Sequence, residues 1–133
     1  MVEASAKTIA EVLAAARARI ARYSPEAAFA ATRQGAVLID TRSSGDVDGE
    51  GRIPGSVYFH RNVLEWRCDP SSGHADPRVS DRNARLIVIC NDGYSSSLAA
   101  ASLVDLGFSK AGDLEGGFRA WAKAGLPVER ADD

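Results

Sequence analysis

The sequence predicts an α/β domain with a mostly parallel sheet, and three observations carry that prediction. Short apolar runs without polar alternation, at Ala36–Asp40 and Leu86–Ile89, suit strands covered on both faces. Stretches of helical periodicity, at Thr8–Arg22 and after Ser95, alternate with those runs. Glycine and proline punctuate the junctions, and no internal repeat or low-complexity stretch breaks the order. At 133 residues the chain fits one domain able to bury a core without staples.

Composition narrows the function classes. A 45% hydrophobic share beside 26% charged residues is that of an ordinary globular protein rather than a disordered one. A formal net charge of -2 supplies no broad cationic surface, so nucleic acid and membrane lipid are not expected partners. Two cysteines, Cys68 and Cys90, cannot build a disulfide framework. Glu3, Lys7 and Glu11 interrupt the apolar residues after Met1, so no signal peptide is expected and a reducing cytoplasm is the expected compartment. His60 and His74 lack metal-ligand spacing with a second Cys or His pair, so neither a metal nor another cofactor is assigned.

In chain order, Thr8 and Glu11 have capping-box spacing, and Ile9, Val12, Leu13, Ala16 and Ile20 recur at helical intervals. An amphipathic helix from about Thr8 to Arg22 is expected, its apolar stripe free to pack on its own domain or on another chain. Ser24-Pro25-Glu26 then offers an N-cap, a proline in the first turn and an acidic residue, which predicts a second helix towards Arg33 ended by Gly35. Ala36–Asp40 follows as a strand. Ser43–Ile53 is rich in Gly, Ser, Asp and Glu and reads as a surface loop. Ile53-Pro54-Gly55-Ser56 is a turn, Val57–Phe59 a short strand, and His60–Cys68 a helical turn or two. Asp69–Asn83 is a long excursion with little regular structure, which places Cys68 in a loop-rich region as an exposed free thiol. A helix from the Ser95 cluster to Gly107, a weak strand at Ala111–Leu114, and a helix at Gly117–Lys123 stopped by Gly125 and Pro127 complete the chain.

The stretch with chemistry in it is Leu86–Leu103. An apolar strand runs into Cys90, a turn containing Gly93 follows, and Ser95-Ser96-Ser97 opens an Ala/Leu-rich helix. Such a turn collects unpaired backbone N–H groups that point at whatever sits in its mouth. In open α/β sheets ligands lie beyond the carboxyl ends of the strands, so Asp40, Thr41 and Arg42 are expected on the same edge as Cys90. A cysteine ending an apolar strand is, taken alone, more often a buried hydrophobe than a nucleophile.

Four blocks change that balance: Leu38-Ile39-Asp40-Thr41-Arg42, Gly51-Arg52-Ile53-Pro54-Gly55-Ser56, the Cys90 loop, and Leu114-Glu115-Gly116-Gly117-Phe118-Arg119-Ala120-Trp121. Through them the chain resembles a single-domain member of the rhodanese-like (sulfurtransferase) family, over roughly Ser24–Val128. The resemblance implies a three-layer α/β/α domain at 24–129 around a central, mostly parallel sheet, with an N-terminal helical extension at 1–23 and a tail at 130–133. It also implies a six-residue loop whose cysteine carries sulfane sulfur as a persulfide. Cys90 is then the nucleophile, Asn91, Asp92, Gly93, Tyr94, Ser95 and Ser96 form the anion cradle, and Asp40 and Arg42 brace it as an ion pair. A small sulfur donor and a thiol acceptor, which a protein can provide, are the implied partners.

The chemistry requires a thiolate near neutral pH, whereas an ordinary cysteine titrates at about 8.5. Backbone donors and a helix N-terminus that lowered this by about two units would represent about 2.7 kcal/mol of differential stabilisation. Family members that use thiosulfate well often carry basic residues inside the loop, and here those places hold Asn91, Asp92, Tyr94 and Ser95. A unit charge on Asp92 about 6 Å from a donor anion would cost about 2.8 kcal/mol at an effective dielectric of about 20, unless it faces solvent or pairs with an arginine. Two rivals remain. A phosphatase of the related cysteine-loop type needs an arginine at the end of the loop, where Ser95 and Ser96 stand. A non-catalytic binding or regulatory module would keep the fold, but has no need of Cys90.

Overall fold

The computed structural model describes residues 5–130 and shows five parallel strands in the order β1-β5-β4-β2-β3. They are β1 Ala21–Tyr23, β2 Val37–Asp40, β3 Val57–Tyr58, β4 Leu86–Ile89 and β5 Gly112–Leu114. The helices are α1 Ile9–Arg17, α2 Pro25–Thr32, α3 Ser44–Glu50, α4 Leu64–Cys68, α5 Ser95–Asp105 and α6 Gly117–Lys123, with a 3-10 turn at Arg61–Val63 before α4. Of the expected tail at 130–133, residues beyond 130 lie outside the described residues, as do residues 1–4 at the start of the expected extension.

Each strand of the sheet centre divides its side chains between two cores. On β4, Leu86 and Val88 join Ile39, Leu64, Ala100, Leu103 and Phe108 on the face covered by α4 and α5. Ile87 and Ile89 point the other way, with Leu38, Ala28, Ala31, Phe118 and Trp121, under α2 and α6. All four β4 residues are 0% exposed, which is why the run carries no polar alternation. Burying each such side chain contributes about 1.5–3 kcal/mol, so the central strands anchor the layers that flank them. The result is the expected α/β/α sandwich.

Local chemistry sets the element starts. Thr8 accepts a hydrogen bond from the Glu11 N–H at 3.1 Å, and Glu11 accepts one from the Thr8 N–H at 3.0 Å, completing the capping box of α1. Ser24 caps α2 through the Ala27 N–H, with Pro25 at the first helical position.

Three expectations need correction. The first helix ends at Arg17, and Ala21–Tyr23 leaves it as the edge strand β1, paired in parallel with β5 in the register Ala21 to Gly112. Gly112 allows this close approach: a Cβ there would stand 2.3 Å from the Ala21 carbonyl oxygen. A three-residue strand, Ala-Arg-Tyr, carries no period of its own, so the helical pattern runs through it on paper. Ser43–Ile53 is not a simple loop, because Ser43 accepts from the Asp46 N–H and caps α3. Gly45 and Gly49 within α3 lower its propensity and hide it in the sequence. Cys68 is not exposed. Leu64 and Cys68 lie four apart on the buried face of α4, both 0% exposed, and the thiol is pushed up to about 12, chiefly by burial and then by the Glu65 and Asp76 carboxylates.

The excursion at Asp69–Asn83 contains no helix or strand. It is tied down by Asp76, whose N–H donates to the Arg67 carbonyl of α4 at 2.8 Å and whose carboxylate accepts from the Arg67 guanidinium at 3.4 Å, and by Val79 in the core. No helix among the described residues is long and apolar enough to cross a membrane.

Candidate active site

Strand β4 ends at Ile89, and the next residue, Cys90, begins a loop that closes on the first turn of α5. Cys90 is 7% exposed. Its sulfur accepts from the Gly93 N–H at 3.1 Å and from the Ser96 N–H at 3.4 Å, so two of the expected cradle amides reach it. Ser96 and Ser97 both donate their hydroxyls to Asp113 Oδ2 at 2.7 Å. A hydroxyl has one proton, so Ser96 serves the sulfur through its backbone and Ser95 supplies the hydroxyl that faces it. Burial alone would raise the Cys90 thiol, but hydrogen bonding from Ser96, Ser95 and Gly93 outweighs it, and the thiol lies below its ordinary value of 9.0.

The loop owes its curl to two glycines closely confined by backbone. Gly93 has φ 85°, and a Cβ there would sit 2.7 Å from the Gly116 nitrogen. Gly117 is equally confined: its Cβ would meet the Cys90 and Asn91 carbonyl oxygens at 2.5 Å. Those carbonyls accept from the Phe118 N–H at 2.8 Å and the Arg119 N–H at 3.2 Å, so the start of α6 locks the end of β4.

A cavity of about 410 Å³ opens over Cys90, walled by Thr41, Arg42, Ser43, Asp46, Asn91, Asp92, Tyr94 and Ser95. Its walls come from the β2–α3 corner and the Cys90 loop, so the 69–83 excursion does not cover it. Asp40 and Arg42 form the expected ion pair, Arg42 Nη2 to Asp40 Oδ2 at 2.8 Å, both buried. Arg42 also donates to the Gly51 carbonyl at 2.7 Å and lies 3.9 Å from the Phe118 ring centroid, joining β2, the end of α3 and α6. Thr41 donates its hydroxyl to the Ile89 carbonyl at 2.8 Å, fixing the corner beside the cysteine. Across the cavity, Asn91 donates its side-chain amide to Asp46 at 2.9 Å, and that bond, with one from Ser43, keeps the Asp46 carboxyl low.

Asp92 does not stand alone at the mouth. It accepts from Arg119 Nη1 at 2.9 Å, and the same guanidinium grips Glu50 at 3.0 and 3.1 Å. Tyr94 is 63% exposed at the rim. Arg52 braces the neighbouring loop through the Ser56 carbonyl and Glu129, and Gly116, Gly117 and Trp121 form turn and core.

The structure adds residues that the sequence reading did not place here. Asp113, on β5 and 0% exposed, lies behind the loop and accepts from Ser96, Ser97 and Arg22. Arg17 and Arg22 both donate to the Gly93 carbonyl. The available signal was the carboxylate inside the short strand Gly112-Asp113-Leu114, because a buried charge demands partners. Among the described residues no group of three or more His, Cys, Asp or Glu side chains is placed to hold a metal.

Comparison with known proteins agrees with this geometry. A profile of the rhodanese-like domain matches residues 24–124. The chain is 37% identical over 110 residues to the thiosulfate sulfurtransferase GlpE of Pseudomonas fluorescens, covering 83% of this chain and 91% of that one. To GlpE of Pseudomonas syringae it is 38% identical, covering 75% and 85%. Among solved structures, a Rhodopseudomonas palustris protein of unknown function, described as a possible tyrosine phosphatase, superposes with a TM-score of 0.85 at 32% identity, covering 92% and 95%. The Wolinella succinogenes polysulfide-sulfur transferase homodimer shares the fold at a TM-score of 0.70 and 23% identity, covering 90% and 85%. With most of its length matched by the profile and by relatives above the 30% level, this chain belongs to the rhodanese-like domain family.

Proposed function

We propose that the protein is a sulfurtransferase in which Cys90 carries sulfane sulfur. The observation behind this reading is a nearly buried thiol that two backbone N–H groups favour as a thiolate. The Cys90 thiolate attacks the outer sulfur of a donor: with thiosulfate, the S–S bond breaks with its electron pair on the sulfite that leaves, and Cys–S–S⁻ remains. A thiolate acceptor then attacks the outer sulfur, its new S–S bond replacing the one to Cys90, which is released as thiolate. No net oxidant is consumed, and the same amides face an anion before and after each step.

The donor is thiosulfate or an organic persulfide, and the acceptor a thiol or cyanide. Pairing with Arg119 draws the Asp92 carboxylate into an ion cluster with Glu50, which lessens the repulsion that thiosulfate meets at the mouth while leaving the cluster with one net negative charge. A phosphatase reading fits less well. Phosphate needs a fork of cationic donors at the loop's end, and there the Ser96 hydroxyl is committed to Asp113.

Intact mass after incubation with thiosulfate, or with glutathione persulfide, tests the proposal. A gain of about 32 Da that cyanide or reductant reverses, and that Cys90→Ser lacks, is the expected result. Absence of the adduct with both donors would overturn it.

A further inference from the structure

The profile match begins at residue 24, yet two side chains from before that point grip the Cys90 loop. Arg17, in the last turn of α1, donates from Nη2 to the Gly93 carbonyl at 2.8 Å and from Nε to Ser97 Oγ at 3.1 Å. Its guanidinium carbon lies 5.6 Å from the Tyr94 ring centroid. Arg22, on β1, adds a second bond to the Gly93 carbonyl at 3.1 Å while its Nε and Nη2 hold Asp113 at 2.9 and 3.2 Å. One carbonyl of a six-residue loop thus accepts from two guanidinium groups.

We propose that Arg17 is a positioning residue of the sulfur-carrying loop, holding the Gly93–Tyr94 peptide so that the loop amides stay aimed at Cys90 Sγ. The sulfur-carrier reading gives this role its purpose. The geometry stands without it.

Glycine accepts either sign of φ almost equally, so the composition of the loop does not by itself fix the peptide plane beside Gly93. A charge-assisted bond to its carbonyl does. That plane joins the one carrying the Gly93 N–H at a single Cα, so fixing the carbonyl leaves that N–H, one of the two amides on the sulfur, less freedom to turn away. Arg17 acts by a second route as well. By donating to Ser97 Oγ it leaves the Ser97 proton for Asp113, where the Ser96 hydroxyl also ends. Arg17, Ser97, Asp113 and Ser96 form a chain that finishes at the other amide facing Sγ. The charged groups around the loop are Arg17, Arg22 and Asp113 behind it, Asp92 with Arg119 and Glu50 at its outer edge, and Arg42 and Asp46 across the cavity.

The simpler alternative is that Arg17 only docks α1 on α5. Arg19 separates the two roles, because from two residues past the end of α1 it ties the chain to Asp105 of α5 and makes no bond to the loop among the described residues. In the full-length protein, iodoacetamide alkylation of Cys90 would be followed against pH, with Cys68→Ser as background, for Arg17→Ala, Arg17→Lys and Arg19→Ala. Arg17→Ala is expected to raise the midpoint by about 0.7 unit and to slow alkylation below it about fivefold. Arg17→Lys restores part of the shift, and Arg19→Ala keeps the parent profile. An unchanged profile in Arg17→Ala, or an equal shift in Arg19→Ala, would overturn the proposal. Alkylation requires no sulfur donor, so a missing persulfide adduct with the Arg17 shift intact would refute the sulfur-carrier reading and leave this inference standing.

Discussion

Cys68 and Cys90, 0% and 7% exposed, are the two cysteines of the chain, and their thiols are displaced in opposite directions. Cys68 closes α4 inside the core, where burial is joined by the Glu65 and Asp76 carboxylates, and it is pushed up to about 12. Cys90 is almost as dry, but it sits where a strand has ended and a helix has not yet begun to use its amides. Gly93 and Ser96 give those amides to the sulfur. Burial raises both thiols, so it does not by itself decide reactivity. Only the thiol that also has donors is brought back below its ordinary value.

The largest break in that contrast comes from removing each sulfur. Cys90→Ser should lower sulfur transfer by about a thousandfold or more, as expected for loss of a nucleophile, while Cys68→Ser stays within about twofold of the parent in the same steady-state assay. Gly93→Ala comes next. A side chain at φ 85° and 2.7 Å from Gly116 moves the loop, and a cost of about 1–3 kcal/mol predicts alkylation of Cys90 slower by about 10–100-fold at pH 7. That variant makes the reactive cysteine resemble the silent one.

Alkaline unfolding measures the silent one directly. A thiol raised to about 12 in the fold, from 9.0, favours the folded state while protonated, so its contribution is lost as pH rises through that window. Between pH 9 and 10 the parent should lose about 1 kcal/mol more denaturation free energy than Cys68→Ser. Cys90 has the opposite sign: its lowered value adds stability above 9.0 that disappears as pH falls through the folded value. The smallest effect is expected at Asp92. Its charge is exposed and already paired with Arg119, so Asp92→Asn should change the KM for thiosulfate by about twofold or less.

Much of the fold was legible because its signals are local. The capping box of Thr8 and Glu11, the Ser24-Pro25 start of α2 and the unbroken apolar runs of β2 and β4 each announce themselves within a few residues. The Cys90 loop was legible for the same reason, as strand, glycine turn and serine-rich helix start. What escaped depends on long-range contact. Ala21–Tyr23 becomes a strand only because Gly112 lets it close on β5, and α3 forms despite two glycines because Ser43 caps it. Arg17 and Arg22 stand off the apolar stripe of the helix expected over Thr8–Arg22, and their partners, Asp113 and the Gly93 carbonyl, come to them from 71 to 91 residues away.

The confined glycines, Gly93 and Gly117, let the sulfur site take two of its donors from main chain. A binding surface of that kind tolerates drift. Substitutions at Asn91, Asp92 and Tyr94 can retune which molecules approach without touching the donors that stabilise the anion, whereas a side chain at either glycine meets backbone at once. For protein engineering, the loop's outward residues are the variable register in which a new donor or acceptor preference can be written over an unchanged chemical step.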